Sequence, residues 1–229
     1  MSTPILLITG FLGSGKTTLL RRFAADATRR RLFIVNEFSA VSVDGGLVRE
    51  AGASDVLEVA GGSLFCRCKV TEFLNTLRGA RARIQGAAIE EVVIETSGMA
   101  DPSAMETLLQ ETELARDYHV AGVVAVADPD RFLKLADLLP VIEAQIRAAD
   151  LVLLNHADRH PEARLREAES VLRRLAPHAS IVRTVHSDVP LASLSFGTPR
   201  AGKPSGLVTL RDPHFAPLVF SPADLPDPE

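Results

Sequence analysis

Residues 10–18 read "GFLGSGKTT", directly after an apolar run of strand length, "PILLIT" (4–9), and directly before a stretch of helical period at 16–29. No other segment narrows the possible folds as much. The pattern G-x-x-x-x-G-K-[ST] between a strand and a helix needs a backbone that turns tightly enough to aim successive amide N–H groups inward, at the N-terminus of a helix whose dipole favours anions. Gly10, Gly13 and Gly15 permit that turn, with Ser14 and Thr18 in the same cradle. Lys16 is placed to bridge the β- and γ-phosphates of a nucleotide, and the Thr17 hydroxyl to ligate Mg²⁺.

Apolar runs of strand length recur along the chain, at 4–9, 32–36, 55–59, 91–96, 120–127, 150–155 and 180–185. Several are apolar on both faces, as buried parallel strands are. Helical patterns lie between them at 16–29, 69–85, 102–116, 138–149 and 161–175. The alternation predicts an α/β fold, a mostly parallel sheet covered by helices on both faces. The arginine-rich stretches "TRRR" (28–31) and "RGARAR" (78–83) are expected at solvated helix ends, where cations complement the dipole. The division expected is a nucleotide domain over 1–188 and a proline-rich linker and tail over 189–229, with edge strands at 205–211 and 216–220; eight of the 14 prolines fall between Pro190 and Pro228.

With 229 residues, a net charge of −4 and 24% charged residues, nothing in the electrostatics points to nucleic acid or an anionic membrane as a partner. The N-terminal apolar run is too short to span a bilayer or serve as a signal peptide, so a cytoplasmic location is expected. The two cysteines, Cys66 and Cys68, are one residue apart in "AGGSLFCRCK". At that spacing they make a poor structural disulfide, and a reducing compartment keeps both as thiols.

A phosphate loop needs a carboxylate on a neighbouring strand to manage Mg²⁺. In "VVIETSGMADP" (92–102) Glu95 ends an apolar run, to hold the ion directly or through water, and Gly98 follows where its N–H can sense a γ-phosphate. In "LVLLNHAD" (151–158) Asn155 and Asp158 follow a later strand, like the N-K-x-D element that reads guanine, with His156 in the lysine position and its ring available to stack on the purine. An aspartate there accepts from guanine N1 and N2 and disfavours adenine.

Together these elements resemble the CobW-type GTPases, a metallochaperone-like branch of the SIMIBI class of P-loop NTPases, in order over roughly residues 3–188. "TGFLGSGKTTLL" is similar to the family's phosphate loop, "IVNEFSAVSVDG" to its N-E-F-G-E switch segment, "IETSGMADP" to its E-T-[ST]-G-[LM]-A-[DN]-P stretch, and "VAVADP" (124–129) to its V-V-D strand. The resemblance implies slow GTP hydrolysis coupled to handling of zinc or cobalt, delivery to a client metalloprotein or cofactor-dependent enzyme, and a nucleotide-dependent homodimer. It departs in three places: Ser63 and Phe65 stand at the first two positions of the family's C-x-C-C, with Cys66 at the third and Cys68 an addition; Ala40 replaces an acid of the switch segment; and the sequence stops about where the family's usual C-terminal α+β domain is expected to begin.

Cys66 and Cys68 precede a predicted helix and flank Arg67, next to Lys69, a setting that favours thiolate. They stand as a two-thiolate site for Zn²⁺ or Co²⁺ with Glu37 as a third donor from the switch loop, as redox thiols, or as a relict of the family motif. Asp44 is a candidate for orienting water or the Mg²⁺ shell, and equally a turn residue before Gly45 and Gly46. The reading that follows is a Mg²⁺-dependent GTPase switch. The alternatives are a nucleotide-gated adaptor that hardly hydrolyses GTP, and a P-loop kinase acting on a small acceptor.

Overall fold

The seven apolar runs become seven strands: β1 (Thr3–Thr9), β2 (Arg31–Glu37), β3 (Val56–Ala60), β4 (Glu91–Glu95), β5 (Tyr118–Ala127), β6 (Leu151–Leu154) and β7 (Ser180–Arg183). A computed structural model describes residues 2–37, 44–53, 55–60 and 70–194. The expected edge strands at 205–211 and 216–220, and both cysteines, lie outside the described residues. All six strand pairings are parallel, in the order β3-β2-β4-β1-β5-β6-β7. Parallel strands need crossovers, and the intervening helices supply them: α1 (Lys16–Ala25), α2 (Asp44–Glu50), α3 (Val70–Ala87), α4 (Ala104–Gln110), α5 (Pro129–Leu135), α6 (Pro140–Ala148) and α7 (Glu162–Leu175).

Period-2 alternation divides β1 to β6 between two cores, while the edge strand β7 is largely exposed. Ile5 and Leu7 of β1 pack with Phe73 and Leu77 of α3 and Met105 and Leu108 of α4. Leu6 and Ile8 face the opposite side, with Leu19, Leu20 and Phe23 of α1 and Val48 of α2. Further along the sheet, Ala125, Ala127, Val152 and Leu154 carry α5, α6 and α7. Val189 and Leu194 join the α1-side core, so packing continues past residue 188.

Helix boundaries differ from expectation where side chains compete with the helix. α1 stops at Ala25 because the Asp26 carboxylate accepts from the Thr28 amide (3.1 Å) and hydroxyl (2.9 Å), closing a turn in place of another helical residue. Residues 102–116 divide into α4 and a 3₁₀ turn at Glu113–Arg116. The sequence pattern did not reveal α2 or α5, each seven residues long.

The basic stretches match solvated helix ends in part: Arg29 and Arg30 are exposed beyond the end of α1, but Arg31 is not, and the exposed arginines of 78–83 sit inside a helix rather than at its end. Arg31 begins β2 and is buried, its Nε 2.9 Å from the buried Glu91 carboxylate and its Nη1 3.0 Å from Asp26. Arg78 and Arg83 lie within α3 and pair with Glu113 and Asp55, both at 2.8 Å. Tyr118 anchors the start of β5 to α3: its hydroxyl donates to the Leu77 carbonyl (2.8 Å), and burial pushes its pKa up to about 12.

Candidate nucleotide-binding site

In an all-parallel sheet every strand delivers its carboxyl end to the same edge, and ligands gather where strand order reverses. Here β1 is central, with β4 on one side and β5 on the other. The edge therefore collects the glycine loop after β1, Glu95 at the end of β4, Asp128 after β5, Asn155 after β6 and Thr184 after β7.

The glycine loop is shaped by its neighbours. Gly10, Gly13 and Gly15 have φ of 138°, 75° and 112°. A Cβ on Gly10 would lie 2.2 Å from the Val126 carbonyl oxygen, and one on Gly15 would lie 2.3 Å from Asn155 Nδ2, so both positions exclude a side chain on contact as well as conformation. Gly15 caps α1 and its carbonyl accepts first from Leu19. The amides of Lys16, Thr17 and Thr18 thus come before the first bond between helix residues, at the N-terminus of α1. Lys16 folds back over the loop, Nζ 3.4 Å from the Phe11 carbonyl, while Ser14 is buried beneath it.

Asn155 braces this loop. Its side chain is 0% exposed; Nδ2 donates to the Ser14 carbonyl (2.8 Å), and Oδ1 accepts from the Thr184 hydroxyl (3.1 Å) and the Ser187 amide (2.8 Å). His186 and Ser187 both have positive φ, 51° and 52°, a strained pair that turns the Ser187 amide toward Asn155 and lets its hydroxyl donate to the Gly15 carbonyl (3.1 Å). Asn155, expected among the base-reading residues, thus directs its amide at the protein. Asp158, in the 3₁₀ turn Ala157–Arg159, is exposed beyond it. His156, itself at φ 58°, turns its ring to Asp128, Nδ1 to Oδ2 at 2.9 Å.

Asp128 links this loop to the phosphate loop. It caps α5 by accepting from the Arg131 amide (3.0 Å), and Arg131 Nη1 donates to the Leu12 carbonyl (2.7 Å). Burial alone would raise the Asp128 carboxyl, but the Arg131 amide, the His156 ring and nearby His160 outweigh it and hold it below the ordinary value. The signal was readable: Asp-Pro is a cap residue followed by proline at the first helical position.

Glu95 is buried and in register with Ile8, two residues before Gly10. The segment after it crosses the phosphate loop, where a Cβ on Gly98 would lie 3.2 Å from the Leu12 nitrogen. Sequence reasoning missed Gln145, whose Nε2 donates to the carbonyls of Gly98 (3.0 Å) and Ala100 (3.1 Å). Its signal is a polar residue on the buried stripe of α6, between Ile142 and Ile146. Glu37 ends β2 and Asp44 starts α2, but their side chains, like Cys66 and Cys68, lie outside the described set. Among the described residues, no group of three or more His, Cys, Asp or Glu could hold a metal ion, and no helix is long and apolar enough to cross a membrane.

A parallel α/β sheet with a lysine-bearing glycine loop at its switch point defines a P-loop nucleotide-binding domain. Residues 4–183 match the family described as CobW/HypB/UreG, nucleotide-binding domain, and the chain belongs to that family. It is 31% identical over 223 residues to the zinc chaperone CobW of Pseudomonas aeruginosa, covering 83% of this chain and 59% of that protein. It is 26% identical over 216 residues to the zinc-regulated GTPase metalloprotein activator 1 of Saccharomyces cerevisiae, covering 83% of this chain and 50% of the relative. The fold is similar to the crystal structure of a Zn(II)-bound triple mutant of the YjiA GTPase, with a TM-score of 0.62, 25% identity, and coverage of 85% of this chain and 61% of that one. The chain therefore spans about half to three fifths of the length of these relatives.

Proposed function

We propose that this chain is a GTP-hydrolysing switch that serves the delivery of zinc or a related metal to a client protein. One observation supports it most: an exposed Asp158 stands next to a fully braced Asn155 at the mouth of a helix-capped phosphate cradle. Bracing by Asn155 holds the base-reading turn against the phosphate loop, so base selection falls to Asp158, which pairs with guanine N1 and N2 and meets no donor pair on adenine.

The triphosphate would lie across the amides at the α1 N-terminus, with Lys16 at its β- and γ-oxygens. Thr17 and Glu95 offer only oxygen donors, a hydroxyl and a carboxylate, which fits a hard ion such as Mg²⁺. When bound, that ion supplies charge neutralisation at the phosphates. Lys16 and the loop amides stabilise the charge that develops on phosphoryl transfer to water, and Gly98 positions its N–H at the γ-phosphate end. The cargo reading rests on the relatives named as zinc chaperones and on Cys66, Cys68 and Glu37 as a thiolate-rich donor set; a client metalloprotein accords with the relative named a metalloprotein activator, and a nucleotide-dependent homodimer belongs to the same proposal.

Competition binding tests the base assignment. GTP should bind well above ATP, and Asp158→Asn should shift preference to xanthine nucleotides, whose C2 carbonyl accepts from the new amide. Equal affinity of the parent for ATP and GTP would refute the guanine reading.

A further inference from the structure

Gln145 is 1% exposed, on a helix face otherwise occupied by Ile142, Ile146 and, beyond the helix, Ala149. An amide on such a face is costly to bury unless paired, and an apolar residue of similar size would pack there without that demand. What it gains is a pair of acceptors in irregular backbone: one nitrogen donates both its hydrogens, to Gly98 and Ala100. The segment carries its own local turn, with the Ala100 amide donating to the Ser97 carbonyl (3.0 Å) and the Met99 amide to the Ser97 hydroxyl (3.3 Å). The same glycine passes close to the phosphate loop, where a Cβ on it would lie 3.2 Å from the Leu12 nitrogen. Gly98 thus adjoins both the loop that would carry the phosphates and a single side chain of α6.

Orienting the Gly98 carbonyl fixes the following peptide plane and with it the ψ of Gly98, while the φ that aims its own N–H stays free to adjust. α6 then leads into β6 and directly to Asn155 and Asp158. From this arrangement we infer that Gln145 is the positioning residue that sets discrimination between triphosphate and diphosphate: it holds the Gly98 segment where a γ-phosphate completes its hydrogen bonding, and it passes any displacement of that segment to α6. The inference rests on the proposed reading of the site as a GTPase.

Gln145→Leu keeps the volume and removes both donors; Gln145→Glu keeps the shape and faces two carbonyls with an acceptor. Both should leave GDP affinity within about twofold while lowering affinity for a non-hydrolysable GTP analogue and kcat by roughly tenfold, the scale of one or two lost hydrogen bonds. Gln145→Glu should recover on acidification, because the protonated acid donates one bond again; Gln145→Leu should not. Hydrogen–deuterium exchange of residues 97–101 without nucleotide should accelerate in both. An unchanged ratio of GTP-analogue to GDP affinity, or an equal loss of both, overturns the inference. If the parent binds neither nucleotide the GTPase reading fails instead, and unchanged exchange at 97–101 in the variants would then still overturn the role given to Gln145.

Discussion

Asn155→Ala removes a side chain that ties three loops together. The Ser14 carbonyl and the Ser187 amide, both in buried residues, lose their partners at 2.8 Å, and the buried Thr184 hydroxyl loses its acceptor at 3.1 Å. A buried polar group left unpaired costs about 1–3 kcal/mol, so the two backbone groups alone give about 2–6 kcal/mol, with water entering the vacated space moving the result toward the lower end. Against a domain stability of about 5–15 kcal/mol this is a large fraction. Asn155→Asp separates the donor from the acceptors. It keeps Oδ1 for Thr184 and Ser187 but turns a carboxylate oxygen on the Ser14 carbonyl, which raises the folded-state pKa of the new acid. The neutral acid can donate to that carbonyl, so its stability is present below the unfolded carboxylate pKa and is lost as pH rises through the raised folded value. Urea denaturation at pH 7 and pH 5 measures both effects. A loss below about 1 kcal/mol for Asn155→Ala, or an Asn155→Asp penalty that does not shrink on acidification, would refute the brace.

Two further outcomes follow from other parts of the molecule. Glu91→Ala should destabilise the fold by about 3 kcal/mol, the low end for stripping a partner from a buried ion pair because Arg31 retains Asp26, and Arg31→Met with Glu91→Leu should regain most of it; urea midpoints check this, and a double variant no better than the single one refutes it. Cys66→Ser and Cys68→Ser should each weaken Zn²⁺ or Co²⁺ binding, with a cobalt thiolate charge-transfer band seen in the parent only, and parent affinity equal to that of the double serine variant would leave the cysteines a relict.

Composition and periodicity carried much of this protein on their own. Runs apolar on both faces become buried parallel strands because each alternate side chain meets a helix layer, whereas the edge strand β7, largely exposed, is legible only by its apolar pair Ile181 and Val182. The glycine loop was legible because strand, motif and helix are contiguous, although the side chains that brace it, Asn155 and Arg131, come from remote parts of the sequence. Periodicity says nothing of which strands neighbour one another, so the central place of β1 between β4 and β5 belongs to the packed sheet alone. The helices α2 and α5, like α4, are seven residues long, too short for a helical period by themselves; α4 was legible because the pattern runs on through the 3₁₀ turn to Arg116, and α5 shows only its Asp-Pro start. Asn155 shows the limit most plainly. The sequence marks it as part of a base-reading motif, but its partners Ser14 and Ser187 lie 141 and 32 residues away, and only the convergence of strand ends at one edge of the sheet makes it a brace for the phosphate loop. Gln145 reaches Gly98 across 47 residues for the same reason: a buried polar side chain announces in sequence that it needs a partner, and the tertiary fold decides which carbonyl that partner is.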